Sequence, residues 1–384
     1  MGNCGGNENL CSNTWFKNMI PNCLQYATTA KAQGRPIVGI MCEYTPRELI
    51  MAAGAIPVCL CGGSVNTITA AEQDLPKNLC PLIKSTYGYN ILKKNPFLEM
   101  TDLLVAETTC DGKKKMYELL SQNHPMHILE LSQKPDDSDA FEHWHKELIK
   151  LKSALEKRFN TKITDAKIRQ AIELMNRERR LRRQLAGFME SDTPPLTGRQ
   201  LLELKSIIGG IEADLEEYEK IISIMKSKKA ECGTAKKVRV LLTGVPLAHG
   251  AERVIDIIEQ NGGLVVCMEN CTGIKPILED VDETIEDPMA ALAKKYFNIP
   301  CSVMTRNDLR LETLRKLIRQ YRPQCIVELI WQACLTYDVE SHFIRQLAQQ
   351  EFKLPYLKIE TDYSPSDSAR IEMRVAALFE TSRK

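Results

Sequence analysis

Short apolar runs of strand length alternate with helical segments in two separate sections of the chain, and no other feature limits its fold as much. In the first section the runs are RPIVGIMC (residues 35–42), AIPVCLCGG (55–63), DLLVAETTC (102–110) and HPMHILELS (124–132). In the second they are VRVLLTG (238–244) and LVVCMENC (264–271), with IPCSVM (299–304), QCIVELIWQAC (324–334) and YLKIETD (356–362) as further strand candidates. Such runs, bounded by turn residues and separated by amphipathic stretches, predict parallel sheets covered by helices. TPRELIMAAG (45–54) is a predicted helix, with Thr45 as N-cap, Pro46 in the first turn and Gly54 as its stop.

Between the two sections the rhythm changes. Residues 138–232 carry apolar residues at three- and four-residue spacing with few breakers, apart from the hinge SDTPPLTG (191–198). This predicts long amphipathic helices. The arginine-rich run Asn176–Arg183 reads as a solvated helix face. The expected organisation is an N-terminal helical arm (1–33), an α/β domain (34–137), a helical section (138–235) and a second α/β domain (236–384). The fold class is α/β: two Rossmann-like or flavodoxin-like parallel-sheet domains facing a crevice, with a helical insertion between them.

Charge narrows the function classes. Lys and Arg number 51 against 50 Asp and Glu, so no net field points to nucleic acid or a membrane surface. No apolar stretch has the length of a membrane span. MGNCGGNENLCSN lacks the flank and core of a secretory signal, and Gly6 stands where a myristoylation motif needs Ser or Thr. The expected location is the cytoplasm, where reducing conditions disfavour disulfides. The 14 cysteines of this chain then call for metal ligands, redox chemistry or buried thiols.

Their positions carry a pattern. Cys42, Cys110, Cys271 and Cys334 each end an apolar run and precede a loop or helix. The carboxyl ends of parallel strands face the ligand crevice, and the amide groups of a following helix favour a thiolate. Cys80, in a turn-rich loop before a helix, and Cys301, after Pro300, have similar settings. Cys59, Cys267 and Cys325 sit inside apolar runs and read as buried small hydrophobes; Cys61 suits either role. Cys4, Cys11, Cys23 and Cys232 carry no assignment. No C-x2-C pair of a structural zinc site and no ferredoxin run occurs. On spacing alone, dispersed iron–sulfur ligation, a zinc ion and no metal at all stay open.

Several segments resemble a known family: CEYTPRELIMAAGAIPV, DLPKNLCPLIKSTYG, ETTCDGKKKMYE, ENCTG, WQACLTYDVES and IETDYS. They are similar to the 2-hydroxyacyl-CoA dehydratase and benzoyl-CoA reductase family, D-component type, and look closest to its double-cubane-cluster proteins. The resemblance runs from about Pro36 to the C-terminus. It implies that Cys80, Cys110 and Cys334 hold a 4Fe–4S cluster. In the double-cubane branch, an 8Fe–9S unit needs three more cysteines, for which Cys42, Cys271 and Cys301 stand ready, with Cys61 in reserve. It also implies a separate dimeric iron–sulfur ATPase activator, a homodimer, a small-molecule substrate and an oxygen-sensitive protein of an anaerobic or facultative host. The chain itself has no P-loop and no G-x-G-x-x-G. LLTGVPLAHGAE (241–252) lacks the P-loop lysine, so nucleotide is expected on the activator and not on this chain.

The reading that follows is an ATP-dependent low-potential reductase component. The alternatives are a 2-hydroxyacyl-CoA dehydratase subunit with one 4Fe–4S cluster, eliminating water through a radical, and a non-catalytic electron-storage protein. His249, Glu43 and Glu107 are the candidate proton-handling or supporting groups. Glu360 and Asp362 are further crevice candidates, and Lys84 and Tyr87 are placed to steady the Cys80 loop. His143 and His145 point to different faces of one helix and share no metal.

Overall fold

The computed structural model describes residues 14–227 and 236–382. The sequence readings that concern Cys4, Cys11, the MGNC start and Cys232 lie outside the described residues. Four strands, β1 (Ile37–Ile40), β2 (Ile56–Cys59), β3 (Leu103–Glu107) and β4 (Met126–Leu129), form one parallel sheet in the order β2-β1-β3-β4. A second, made of β5 (Val238–Gly244), β6 (Gly263–Glu269), β7 (Cys325–Trp331) and β8 (Tyr356–Thr361), repeats that order as β6-β5-β7-β8. Every strand pair is parallel. This is the doubly wound order in which the direction of winding reverses between the first and third strands, leaving a crevice at their carboxyl ends. No helix among the described residues is long and apolar enough to cross a membrane.

Both sheets are covered on both faces, because alternate residues of each strand project to opposite sides. Leu104 and Ala106 of β3 join a core shared with the helix Met19–Ala32, whereas Leu103 and Val105 pack with the helices Arg47–Ala52 and Ser138–Phe159. The middle helices are not a separate module. Asp165–Gly187 contributes Ile168 and Ile172 to the core of the first sheet and Leu181 and Leu185 to that of the second. The buried Arg179 locks it in place, donating to Glu48 at 2.6 Å while Tyr296 donates to the same carboxylate at 2.6 Å.

Two local expectations are corrected. IPCSVM is not a strand. Ile299, Cys301, Val303 and Met304 are buried, but Cys301 N–H bonds to the Ile299 carbonyl and Met304 N–H to that of Cys301, so the run coils into turns. Its apolar residues, with those of the helix Pro288–Phe297, pack against the first sheet's core, so a second-half segment returns to the first domain. Thr45 is not a helix cap. The helix begins at Arg47 with Pro46 before it, because the Thr45 hydroxyl is committed to Glu107. Gly54 does end that helix, at φ +81°.

Candidate thiol centre between the two domains

The strands place the cysteines. Cys110 caps the helix Asp111–Leu120 just beyond β3, and Cys334 caps Leu335–Gln346 just beyond β7. Cys80 caps Pro81–Leu92, whose first residue is a proline that needs no amide partner. Cys42 follows β1 and Cys271 follows β6, each by two residues. Cys301 arrives on the returning segment just described. None of the six forms a disulfide.

The fold sorts these thiols into two groups. Cys80, Cys110 and Cys334 lie within electrostatic reach of one another. So do Cys42, Cys271 and Cys301. Each group draws cysteines from both halves of the chain. Burial pushes Cys42 up to about 12 and Cys80 up to about 11, and it raises Cys271 and Cys334 well above the ordinary thiol range. This corrects the expectation that helix amides would supply the thiolates. Amides of Leu82 and Ile83 do lower Cys80, as that of Tyr337 lowers Cys334, but desolvation outweighs them.

Lys113, Tyr337 and Lys275 connect the groups. Lys113 Nζ donates to the Met41 carbonyl at 2.6 Å and lies in the field of Cys42, Cys61 and Cys110. Its neighbours Lys114 and Lys115 turn outward to Asp111 and Glu118. Tyr337 supplies the amide at Cys334, while its ring lies in the field of Cys271 and Cys301. Its hydroxyl meets the fully buried Lys275 Nζ at 3.1 Å, and Lys275 pairs with Glu269 at 3.0 Å. The partner that makes Lys275 matter, Tyr337, is 62 residues away, and no local pattern signals it.

The carboxylates divide by partner. Burial opposes the charge of Glu43, but Arg47, bonded to both its oxygens at 2.8 and 3.0 Å, outweighs burial and holds it below the usual range. Glu43 is therefore a locked carboxylate. Glu107 is fully buried; Thr45 donates to one oxygen, and the other has no hydrogen-bond partner among the described residues. Burial raises it to about 8, so it carries a proton at neutral pH. Deeper in the second domain, burial lifts Glu328 to about 7 despite Arg310. The folded carboxyl keeps its proton up to that pH, whereas the unfolded one releases it near 4.5. Stability therefore falls as pH rises from about 4.5 to 7, and Glu328→Gln is expected to flatten that slope in urea melts taken across the range.

His249 is exposed, with Nδ1 3.6 Å from Glu252, on the loop after β5. That loop packs on the first domain: a Cβ at Gly63 would collide with the His249 carbonyl oxygen. Cys61 bonds to Met41 O at 3.5 Å and is paired with Cys59, whose proton it helps to release. Cys59 is thus not the plain buried hydrophobe expected, being half-buried and paired, while Cys267 and Cys325 are buried as expected. Cys23 meets Ser206 at 3.1 Å. Lys84 bonds to Glu72 and the Lys77 carbonyl, and Tyr87 to Asp74, which steadies the turn leading to Cys80. In IETDYS, Glu360 is exposed and Asp362 caps Ser364, whereas Tyr363 crosses to the Gly62 carbonyl at 3.1 Å. His143 and His145 approach different acids, Glu130 and Asp287. Among the described residues, no three His, Cys, Asp or Glu side chains converge on a point suited to one metal ion.

Both domains are doubly wound parallel sheets, and cysteines from both halves of the chain come near one another where they meet. The family model for "2-hydroxyglutaryl-CoA dehydratase, D-component" matches residues 42–381, and the chain belongs to that family. It is 41% identical over 91% of its length, and 92% of the relative's, to "Putative dehydratase subunit YjiM" of Escherichia coli K12. It is 24% identical to the (R)-phenyllactyl-CoA dehydratase beta subunit of Clostridium sporogenes, covering 95% of this chain and 97% of that one. To a component polypeptide of the benzoyl-CoA reductase of Thauera aromatica it is 23% identical, over 84% of each chain.

Proposed function

We propose that this chain is the cluster-bearing component of a low-potential reductase, holding a double cubane between its domains and taking electrons from a separate ATP-hydrolysing activator. What supports the reading is that Cys80, Cys110 and Cys334 lie near one another, as do Cys42, Cys271 and Cys301. A cubane binds each ligand through a different iron, so its thiolates stand apart around the cluster. This suits thiols that lie in one another's field without converging on a single ion site. Cys80, Cys110 and Cys334 would hold one cubane and Cys42, Cys271 and Cys301 the other. The centre would supply one-electron transfer at low potential.

The chain's own residues then have definite tasks. Lys113 and Lys275 place buried positive charge beside the thiolates. Burial of the crevice walls excludes water, and Glu107 holds a proton at its carboxyl near the crevice. Locked onto Arg47, Glu43 holds the turn after Cys42 rather than donating. The exposed His249, on the loop that packs against Gly63, would be the group through which protons enter. A homodimer would present two such centres. The second reading is a dehydratase subunit with one cubane on Cys80, Cys110 and Cys334, favoured by the name of the 41% identical relative.

The two are separated by product. Iron-loaded protein, given a photochemical one-electron donor, is offered a reducible small molecule and a 2-hydroxyacyl-CoA thioester. Reduced product in proportion to the electrons supplied supports the reductase. Loss of water from the thioester with few electrons consumed would replace it by the dehydratase.

A further inference from the structure

Four large apolar side chains among the described residues keep half or more of their surface in water, and three of them stand on one helix. Leu335, Val339 and Phe343, at 71%, 71% and 52% exposure, lie four residues apart on the helix Leu335–Gln346 and form one ridge along it. The other side of that helix is core, where Tyr337, Ser341 and Ile344 are buried. Single apolar residues at a surface need no account, but an unbroken ridge does. The helix Asp308–Tyr321 lies alongside, since Asn307 at its start and Arg310 both bond to Glu340, and it adds the exposed Leu309.

The carboxylates beside the ridge are committed within the chain. Asp338 pairs with Lys358 at 2.6 Å, and Glu340 with Arg310 and Asn307. His342 and Arg345 are exposed at the rim. Arg345 is the one arginine or lysine of this helix, which is too few for attachment to an anionic membrane surface.

The ridge matches its own copy. From either end it reads large, small, large. Two such helices laid antiparallel about Val339 set the Leu335 of each copy against the Phe343 of the other. Ridges of four-residue spacing interlock in the commonest helix crossing, and the small central valine lets the axes approach. A two-fold contact is made by the same patch on both copies, so any charge at its centre would meet its own like. The centre here is neutral. Arg345 lies six residues beyond Val339. Its two copies therefore stand about 18 Å apart along the antiparallel axes, past the screening length of about 8 Å.

We propose that the ridge of Leu335, Val339 and Phe343, with Leu309 beside it, is the face on which two copies of this chain pair. Leu335 directly follows Cys334, so pairing here lays the second copy over the loop that carries one thiol of the centre. This assigns a surface to the homodimer of the reading above. Mass reads it, so it can fail while the cluster assignment stands, and the reverse.

The test is sedimentation equilibrium on the full-length protein, purified anaerobically, at concentrations up to about 100 µM. The parent is expected at the mass of two chains. Val339→Glu places two carboxylates beside the two-fold axis and removes apolar contact from both copies. The dissociation constant should rise about a hundredfold or more. Leu335→Glu should act in the same direction. Met373→Glu changes a similarly exposed residue, on the helix Ser368–Ser382, and should leave the dimer intact, because that helix covers the other face of the sheet. Val339→Ser serves if the glutamate variant melts as a misfolded protein. A parent that stays monomeric throughout would overturn the proposal and leave the ridge to a different protein chain. A dimer that Val339→Glu and Leu335→Glu both leave unchanged would also overturn it, as would one that Met373→Glu disrupts as strongly.

Discussion

Replacing Arg310 with methionine is expected to lower unfolding stability by about 3–5 kcal/mol. Arg310 is wholly buried in the second domain. Its guanidinium lies 3.3 Å from Glu269, 3.4 Å from Glu328 and 2.8 Å from the Thr243 hydroxyl, and it also pairs with Glu340. Its planar head lies over the Tyr337 ring at 4.8 Å. The pair is not strong because salt bridges are strong in general; a buried pair often does no better than a hydrophobic one of the same shape. The loss is large because truncation abandons Glu269, a fully buried carboxylate that Arg310 and Lys275 hold ionised. Urea melts of Arg310→Met measure it, and adding Glu328→Gln should restore part of it. A loss under about 1 kcal/mol would mean that Glu269 is already protonated in the parent. The consequence reaches the thiol centre, because Glu269 also holds Lys275 and Tyr337 follows Cys334 by three residues.

Gly244→Ala is expected to cost more than about 3 kcal/mol. Gly244 ends β5 at φ +108°, a conformation that L side chains rarely adopt. A Cβ there would also strike the Leu329 carbonyl oxygen of β7, which accepts from Val245 N–H at 3.0 Å. Main chain cannot rotate away as a side chain can, so the β5–β7 pair must part at its carboxyl end. That end carries the loop with His249 on one side and Cys334 on the other. Melting temperature and amide exchange in β5 and β7 check this. A variant that melts within about two degrees of the parent would contradict the geometry, since a loss of about 3 kcal/mol is worth roughly four degrees in a chain of this size.

The alternation of strands and helices was legible because parallel strands buried on both faces need continuous apolar runs, and turn residues mark their ends. The thiols at strand ends were legible for the same reason: Cys110 and Cys334 follow their runs at once. What stayed hidden was set by tertiary contact. IPCSVM has the composition of a strand, but Pro300 and the pull of the first domain's core coil it into turns. Thr45 has the makings of a cap, yet a buried carboxyl 62 residues away claims its hydroxyl. Helix amides favour thiolates in water-exposed settings, and sequence does not show how deeply Cys80 and Cys334 are buried. Lys275 and Tyr337 matter through partners that no local spacing links. The division of six cysteines into two groups likewise depends on the return of residues 288–304 to the first domain, which follows from packing alone.

The most direct measurement is iron and acid-labile sulfide per chain on anaerobically purified protein, beside Cys80→Ala and Cys301→Ala. The account predicts about eight iron per chain in the parent, with each variant losing a large share, because each removes a ligand from a different cubane. About four iron in the parent, unchanged by Cys301→Ala, would contradict it and leave a single cubane on Cys80, Cys110 and Cys334.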